Sequence, residues 1–347
     1  KAKKGEQATK KAPAVAKQTQ IIVVLPLGIP CMGKSYLASE CLKSIFVHFG
    51  RTLHVIKFDD ARKECLQAWL KKNPRATVDE GIKATQKEAT AAFRERLAQT
   101  MDQLSQQPSD DINMIYLDKN LTPSEISATV AAINQHRASE NSLIQKLAFV
   151  PSMQGNAIRG FPFSASFFLQ CLTRRMARED DLLLPNGSLE QVAQLLLLFF
   201  KQYQGVTFDS GFLAQHSIDA LVDVQFTFES ADIMLPANLE RAIEKAALAP
   251  IDKLAPLVEE VARLVSLYQG LFGRGLSTRD LDSQNERVIE SRLIDLQNEF
   301  WSSQVQSQQE PAQPEESLPA PREEADEDVD SDEIQKEVSK RMEIVED

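Results

Sequence analysis

Cysteine is scarce in this chain of 347 residues, and its pattern is uninformative in a useful way. Cys31, Cys41, Cys65 and Cys171 are scattered, with no C-x-x-C pair. Disulfides are not suggested, and four equally dispersed histidines (His48, His54, His136 and His216) make a zinc site unexpected. No stretch approaches the about 20 apolar residues of a membrane span. The most apolar run, 195–200, is six residues long between Gln194 and Lys201, and reads as the buried part of a core helix. No basic n-region and apolar h-region open the chain, so no secretory signal is visible. The first residue is Lys rather than Met, which reads as a fragment or processed chain whose upstream segment could have carried one. There is no internal repeat. No membrane partner is expected.

Charge is plentiful but unevenly placed. The formal net charge is −11. Residues 1–20 hold six Lys and one Glu, whereas 305–347 hold fifteen acidic and four basic residues, leaving about −5 for the segment between. An extensive duplex-binding surface is usually basic, so this balance argues against one. It does not argue against an enzyme that grips a few phosphates at a strand end. Residues 1–19 read as a basic linker or tail. Residues 305–347, with Pro311, Pro314, Pro319 and Pro321 ahead of an acidic run at 323–328, read as a disordered acidic tail. Part of it, 331–345, could form a short helix on a protein partner.

Between the tails, strands and helices alternate. Strands are expected at 20–27, 52–58, 112–117 and within 143–150, with helices at 36–49, 60–71, 78–107 and 123–136. The last of these is announced by Thr122-Pro123-Ser124-Glu125, an N-cap, a first-turn proline and a Glu three residues on. The series implies an α/β fold, a parallel sheet flanked by helices. Beyond 164 the pattern is mainly helical (164–179, 188–204, 237–247, 253–269 and 280–303), with one alternating, strand-like run at 222–228. The expected organisation is a core over 20–180 and a mainly helical extension or subdomain over 181–304.

The chemistry-bearing residues lie at the ends of the first three strands. Gly28-Ile29-Pro30-Cys31-Met32-Gly33-Lys34-Ser35 fits G-x-x-x-x-G-K-[ST] between a strand and a helix. Its amides and the helix N-terminus suit a phosphate chain. Lys34 would reach the β- and γ-phosphates of ATP or GTP, and the Ser35 hydroxyl would bind Mg²⁺. A free thiol at Cys31, inside that loop, fits a reducing compartment, hence an intracellular location, nucleus or cytoplasm. After the second strand comes Asp59-Asp60-Ala61-Arg62. A carboxylate at 59 could take the proton of an acceptor hydroxyl, and the planar fork of Arg62 could clamp a neighbouring phosphate. The alternative is an Asp N-cap with an ordinary i,i+3 ion pair. After the third strand comes Asp118-Lys119-Asn120. Asp118 could organise Mg²⁺ and Asn120 shape the acceptor side, although both residue types also favour turns.

Together these motifs resemble the P-loop polynucleotide 5′-hydroxyl kinases, closest to the kinase module of multifunctional tRNA ligases. The resemblance covers about residues 21–180. That family orders a G-x-x-x-x-G-K-[ST] loop, an Asp-Asp-x-Arg after the second strand and a strand ending Asp-x-Asn, as Gly28–Ser35, Asp59–Arg62 and Asp118–Asn120 are ordered here. It implies a P-loop NTPase-type sheet and a general base at Asp59. It also implies an acceptor-phosphate contact at Arg62, and a lid whose arginines touch the donor. Arg159 is the lid candidate; Arg174, Arg175 and Arg178 are second choices. The implied activity is NTP- and Mg²⁺-dependent phosphorylation of RNA 5′-OH ends, with tRNA exon halves as the implied substrate and an upstream ligase domain as a possible neighbour. Three departures stand. Only one Arg lies in the presumed lid loop. No paired H-x-[ST] phosphodiesterase motifs or K-x-D-G ligase motif are present, and 181–304 matches nothing in the family. Two other readings remain: a P-loop kinase of small molecules such as a nucleoside or cofactor, and a non-catalytic nucleotide-binding scaffold.

Overall fold

The run Gln20-Ile-Ile-Val-Val-Leu25 is apolar without alternation, the signature of a strand covered on both faces. In the computed structural model it forms β1 (Thr19–Pro26), buried throughout and placed at the centre of the sheet. The described residues are 19–48, 52–106, 112–136, 142–152, 157–176, 187–224, 235–272 and 279–307. Of the tails expected at 1–19 and 305–347, residues 1–18 and 308–347 lie outside them, as does Arg178, whereas Thr19 belongs to β1 and 305–307 end the last helix.

After β1 the chain enters α1 (Lys34–Tyr36), a π-helical turn over Leu37–Leu42, and α2 (Lys43–His48). Then follow β2 (Thr52–Lys57), α3 (Phe58–Lys72), α4 (Val78–Ser105), β3 (Ile112–Asp118), α5 (Pro123–Gln135) and β4 (Ser142–Pro151). The remainder is α6 (Ala165–Met176), α7 (Leu189–Lys201), α8 (Ser210–His216), β5 (Ala220–Val224), α9 (Ala237–Leu248), α10 (Ala255–Phe272) and α11 (Arg279–Ser307). The strands make one five-stranded sheet in the order β2-β3-β1-β4-β5, all parallel. This is the expected α/β class, a P-loop-type parallel sheet flanked by helices.

The period of two along β1 divides the core. Ile22 and Val24 point into a cluster shared with α6, α7, α9, α10 and α11. Ile21, Val23 and Leu25 point into the opposite cluster with Phe93 and Leu97 of α4 and Ile126 of α5. Helices beyond 181 therefore cover one face of the sheet together with α6 and the π-helical turn and α2 that follow β1. The strand-like run also joins it: β5 pairs with β4, Ala220 opposite Leu147, beginning two residues before the expected start. Residues 225–228 of that expectation lie outside the described residues.

Two local departures bear on the site. The second strand stops at Lys57, and Phe58 instead opens α3, where its ring meets Phe93 edge to face at 5.7 Å. Asp59 is consequently not an N-cap. Lys57 holds that position, and Asp59 and Asp60 both sit in the first turn, where the helix dipole favours negative charge. The second departure is α8, which no periodicity announced because seven residues span only two turns. Its start was nevertheless readable: Asp209 caps it, accepting the Phe212 N–H at 3.0 Å.

Candidate functional site

In an open parallel sheet, ligands gather beyond the carboxyl ends of the strands, where successive connections diverge. Here the chain leaves β1 toward β2 on one side, and leaves β3 toward β4 on the other. The divergence falls between β1 and β3, so the Gly28–Ser35 loop and the Asp118–Asn120 turn straddle it. A further bridge, Leu27 to Leu121, extends that pairing past the strand ends.

The loop is shaped by three residues with positive φ: Gly28 (143°), Cys31 (63°) and Gly33 (115°). At Gly28 the positive φ strains any other residue, and a Cβ there, 2.3 Å from the Met32 sulfur, would force that side chain to move. The loop delivers Lys34 to the first position of α1 with only 6% of its surface exposed. Its Nζ donates to the Ile29 carbonyl at 3.2 Å and to Asn120 Oδ1. Burial pushes the Lys34 ammonium below its ordinary pKa, while Asp118 most strongly, then Cys31, Cys171 and Asp59, oppose the shift. Lys34, Asp118, Asn120 and Asp59 are therefore brought into one electrostatic neighbourhood, although Asp59 leaves from β2, two strands from β1. Ser35 is exposed in the first turn beside Lys34, Asp59 is exposed, and Asp118, Asn120 and Arg62 are half-buried. Among the described residues no group of three His, Cys, Asp or Glu side chains is arranged to hold a metal by itself.

Side chains that the sequence did not single out hold this arrangement. Tyr203, fully buried, accepts the Gly28 N–H at 2.9 Å and donates to the Leu121 carbonyl. Its burial pushes the phenol well above its ordinary pKa, so it stays a donor. Two residues on, the Gly205 N–H donates to the Gly160 carbonyl at 2.7 Å. The turn at 203–205 thus ties together the phosphate loop, the chain after Asn120 and the turn carrying Arg159. Tyr116 donates to the Lys34 carbonyl at 3.0 Å. Lys119 pairs with Glu125 at 2.7 Å and lies 4.9 Å over the Phe58 ring, fixing the exit of β3 to the start of α3. No local pattern marks Tyr203, which lies 175 residues from Gly28.

The arginines divide. Arg159 is exposed on the turn after β4, whose ends are joined by the Ala157–Ser164 bridge. Arg174, on α6, donates to the Met32 carbonyl inside the phosphate loop, and Arg175 beside it is buried. Of the second-choice arginines, Arg174 therefore sends its guanidinium to the loop.

Replacing Tyr203 with Phe strands the Gly28 N–H and the Leu121 carbonyl, at an expected cost of about 1–3 kcal/mol. The urea midpoint should fall. An unchanged midpoint would remove Tyr203 from this role.

No protein-family model matches the chain, and no curated protein matches it. Among solved structures that match is one described as the crystal structure of a fungal RNA kinase. It has 12% sequence identity and a TM-score of 0.37, covering 78% of this chain and 96% of that one. A likeness at that level carries no weight for substrate or reaction. Among the described residues no helix is long and apolar enough to cross a membrane, and the four cysteines are free.

Proposed function

We propose that the protein is an NTP-dependent polynucleotide kinase, moving the γ-phosphate of ATP or GTP to the 5′-hydroxyl of an RNA end. The observation that carries this reading is the surroundings of Lys34. A phosphate-loop lysine is held at Asn120, with the charges of both Asp118 and Asp59 felt at its Nζ. Phosphoryl transfer requires little covalent chemistry from the protein. It needs aligned reactants, neutralised phosphate charge and a group to receive the acceptor proton.

In this scheme the loop amides and Lys34 hold the donor phosphates. In the free protein the Asn120 amide oxygen occupies the lysine; a γ-phosphate would take its place. Mg²⁺ chemistry fits Ser35 and Asp118, because this ion is commonly held by one or two protein oxygens plus phosphates and water, without a dedicated protein cage. Asp59 accepts the hydroxyl proton, and Arg62, one turn along α3, holds the next phosphate of the strand. Arg174 and Arg159 are the donor-side arginines, the first at the loop backbone and the second on the turn tied to Gly205. Kinase activity on 5′-OH tRNA halves, an attached ligase domain, a partner for the acidic tail and a nuclear or cytoplasmic site are the corresponding biological expectations.

Incubating the chain with γ-labelled ATP or GTP, Mg²⁺ and 5′-OH RNA or DNA oligonucleotides should place label on the oligonucleotide. Label carried only by nucleosides would transfer the reading to a small-molecule kinase. Absence of NTP binding in a thermal-shift titration would favour a scaffold. Arg62→Ala should raise the acceptor KM about ten- to a hundredfold, the worth of a charged hydrogen bond, with the donor KM unchanged. Equal acceptor KM values in variant and parent would refute the clamp.

A further inference from the structure

A cavity of about 620 Å³ opens between the start of α5 and α8, and nothing in the scheme above uses it. Its lining follows closely on residues of the crevice. Pro123 and Ser124 follow Asn120 closely, Gly205 and Val206 follow Tyr203, and Gly205 is bonded to the turn of Arg159. A molecule whose phosphate lay in the crevice could therefore extend another part into this cavity.

The lining selects a chemical class. It presents neutral hydrogen-bonding groups: Ser124, Ser127, Gln204, Thr207 and Gln215, with His216. None of the described lining residues is Lys or Arg, and the carboxylate, Asp209, is occupied as the cap of α8. An anion finds no countercharge there. His216 is 8% exposed, and its Nδ1 lies 2.9 Å from Ser127 Oγ. Phe212 backs the imidazole, the rings 4.5 Å apart. Burial lowers the His216 pKa, so the ring is neutral near pH 7 and keeps one donor and one acceptor nitrogen. Ser127 occupies Nδ1 as donor or acceptor according to the tautomer, leaving Nε2 for a ligand. These groups suit an uncharged ligand with hydrogen-bonding edges.

We propose that this cavity takes a nucleobase, read by the Ser127–His216 pair and the neighbouring glutamines. The inference rests on the kinase reading for its choice of ligand, since both the donor NTP and the RNA acceptor carry bases.

The test uses the full chain and phosphate-free probes, so it does not depend on catalysis. The His216 ring resonances, assigned by substitution, are followed while adenosine, guanosine, cytidine or uridine is added, with ribose 5-phosphate and inorganic phosphate as controls. A saturable shift with at least one nucleoside and none with the controls is expected. Ser127→Ala, checked for an unchanged melting temperature, should weaken that response about tenfold, the worth of one hydrogen bond. No shift with any nucleoside, or an equal shift with the phosphates, overturns the proposal even if the protein phosphorylates RNA. A nucleoside response in a protein that transfers no phosphate would sustain the cavity and defeat the kinase reading. The source of the base is then separated kinetically. His216→Ala should erase the preference for NTP over ribose 5-triphosphate if the donor's base sits here. It should erase the preference for an ordinary over an abasic 5′ residue if the acceptor's does.

Discussion

Lys34→Met should lose phosphoryl transfer by at least about 10²–10³-fold, the usual cost of removing one preorganised group that stabilises transferring charge, and should not lose stability. The two halves of that result have one origin. The ammonium is buried against the loop in the free protein, and burial works against its charge. Methionine fills similar volume without charge, so the melting temperature of the unliganded variant should equal or exceed the parent's. The pH dependence follows with a definite sign. The folded pKa lies below the unfolded value of 10.5, so in that window the unfolded chain binds more protons and parent stability rises with pH. Below the folded pKa the penalty is complete. The stability difference between variant and parent should therefore shrink as pH rises through that window, measured by urea titration at a series of pH values. Triphosphate binding supplies the missing countercharge, so NTP should raise the parent's melting temperature and leave that of Lys34→Met nearly unmoved. A variant that melts well below the parent, or still responds to NTP, would contradict this account of the lysine.

The parts of the site that were legible in the sequence are those encoded within a few residues. Gly28, Gly33, Lys34 and Ser35 belong to one octapeptide, and the buried strand before it is announced by five consecutive apolar residues. Asp59 and Asp118 were legible because a strand's end is where its apolar run stops, and the parallel order puts all those ends on one edge. What was hidden is carried by hydrogen bonds between distant residues, which leave no periodicity behind. Tyr203 reaches Gly28 and Leu121 only because α7 packs on the same face of the sheet as the helix after the phosphate loop. Arg174 was only a second choice for the lid, yet it bonds Met32. Lys119 sat between two residues of evident interest and was passed over, although it joins the exit of β3 to the start of α3. The chain beyond 181 read as a mainly helical extension or subdomain, because helical periodicity reports one buried face without saying what buries it. Buried residues of α7, α9, α10 and α11 share a cluster with Ile22 and Val24 of β1, and β5 joins the sheet beside β4.

Asp59→Asn should reduce transfer about 10²–10⁴-fold, the range for loss of a positioned general base, while NTP binding and folding are retained. The neighbouring carboxylate makes the test sharp. Asp59 and Asp60 share the first turn of α3 and are both exposed, so either substitution should change stability by no more than about 0.5 kcal/mol. Asp59, and not Asp60, contributes to the charge environment of Lys34. Successive residues on a helix do not face the same way, so only one of the pair can address the crevice. Asp60→Asn should therefore transfer phosphate at close to the parent rate. The acid limb of the parent's pH–rate profile should be missing from the residual activity of Asp59→Asn. Labelled-phosphate assays with saturating donor, run on both variants, decide the matter. Activity lost at position 60 and kept at 59 would require the acceptor to approach from the other side of α3, away from the phosphate loop, and the assignment of the base would fall with it.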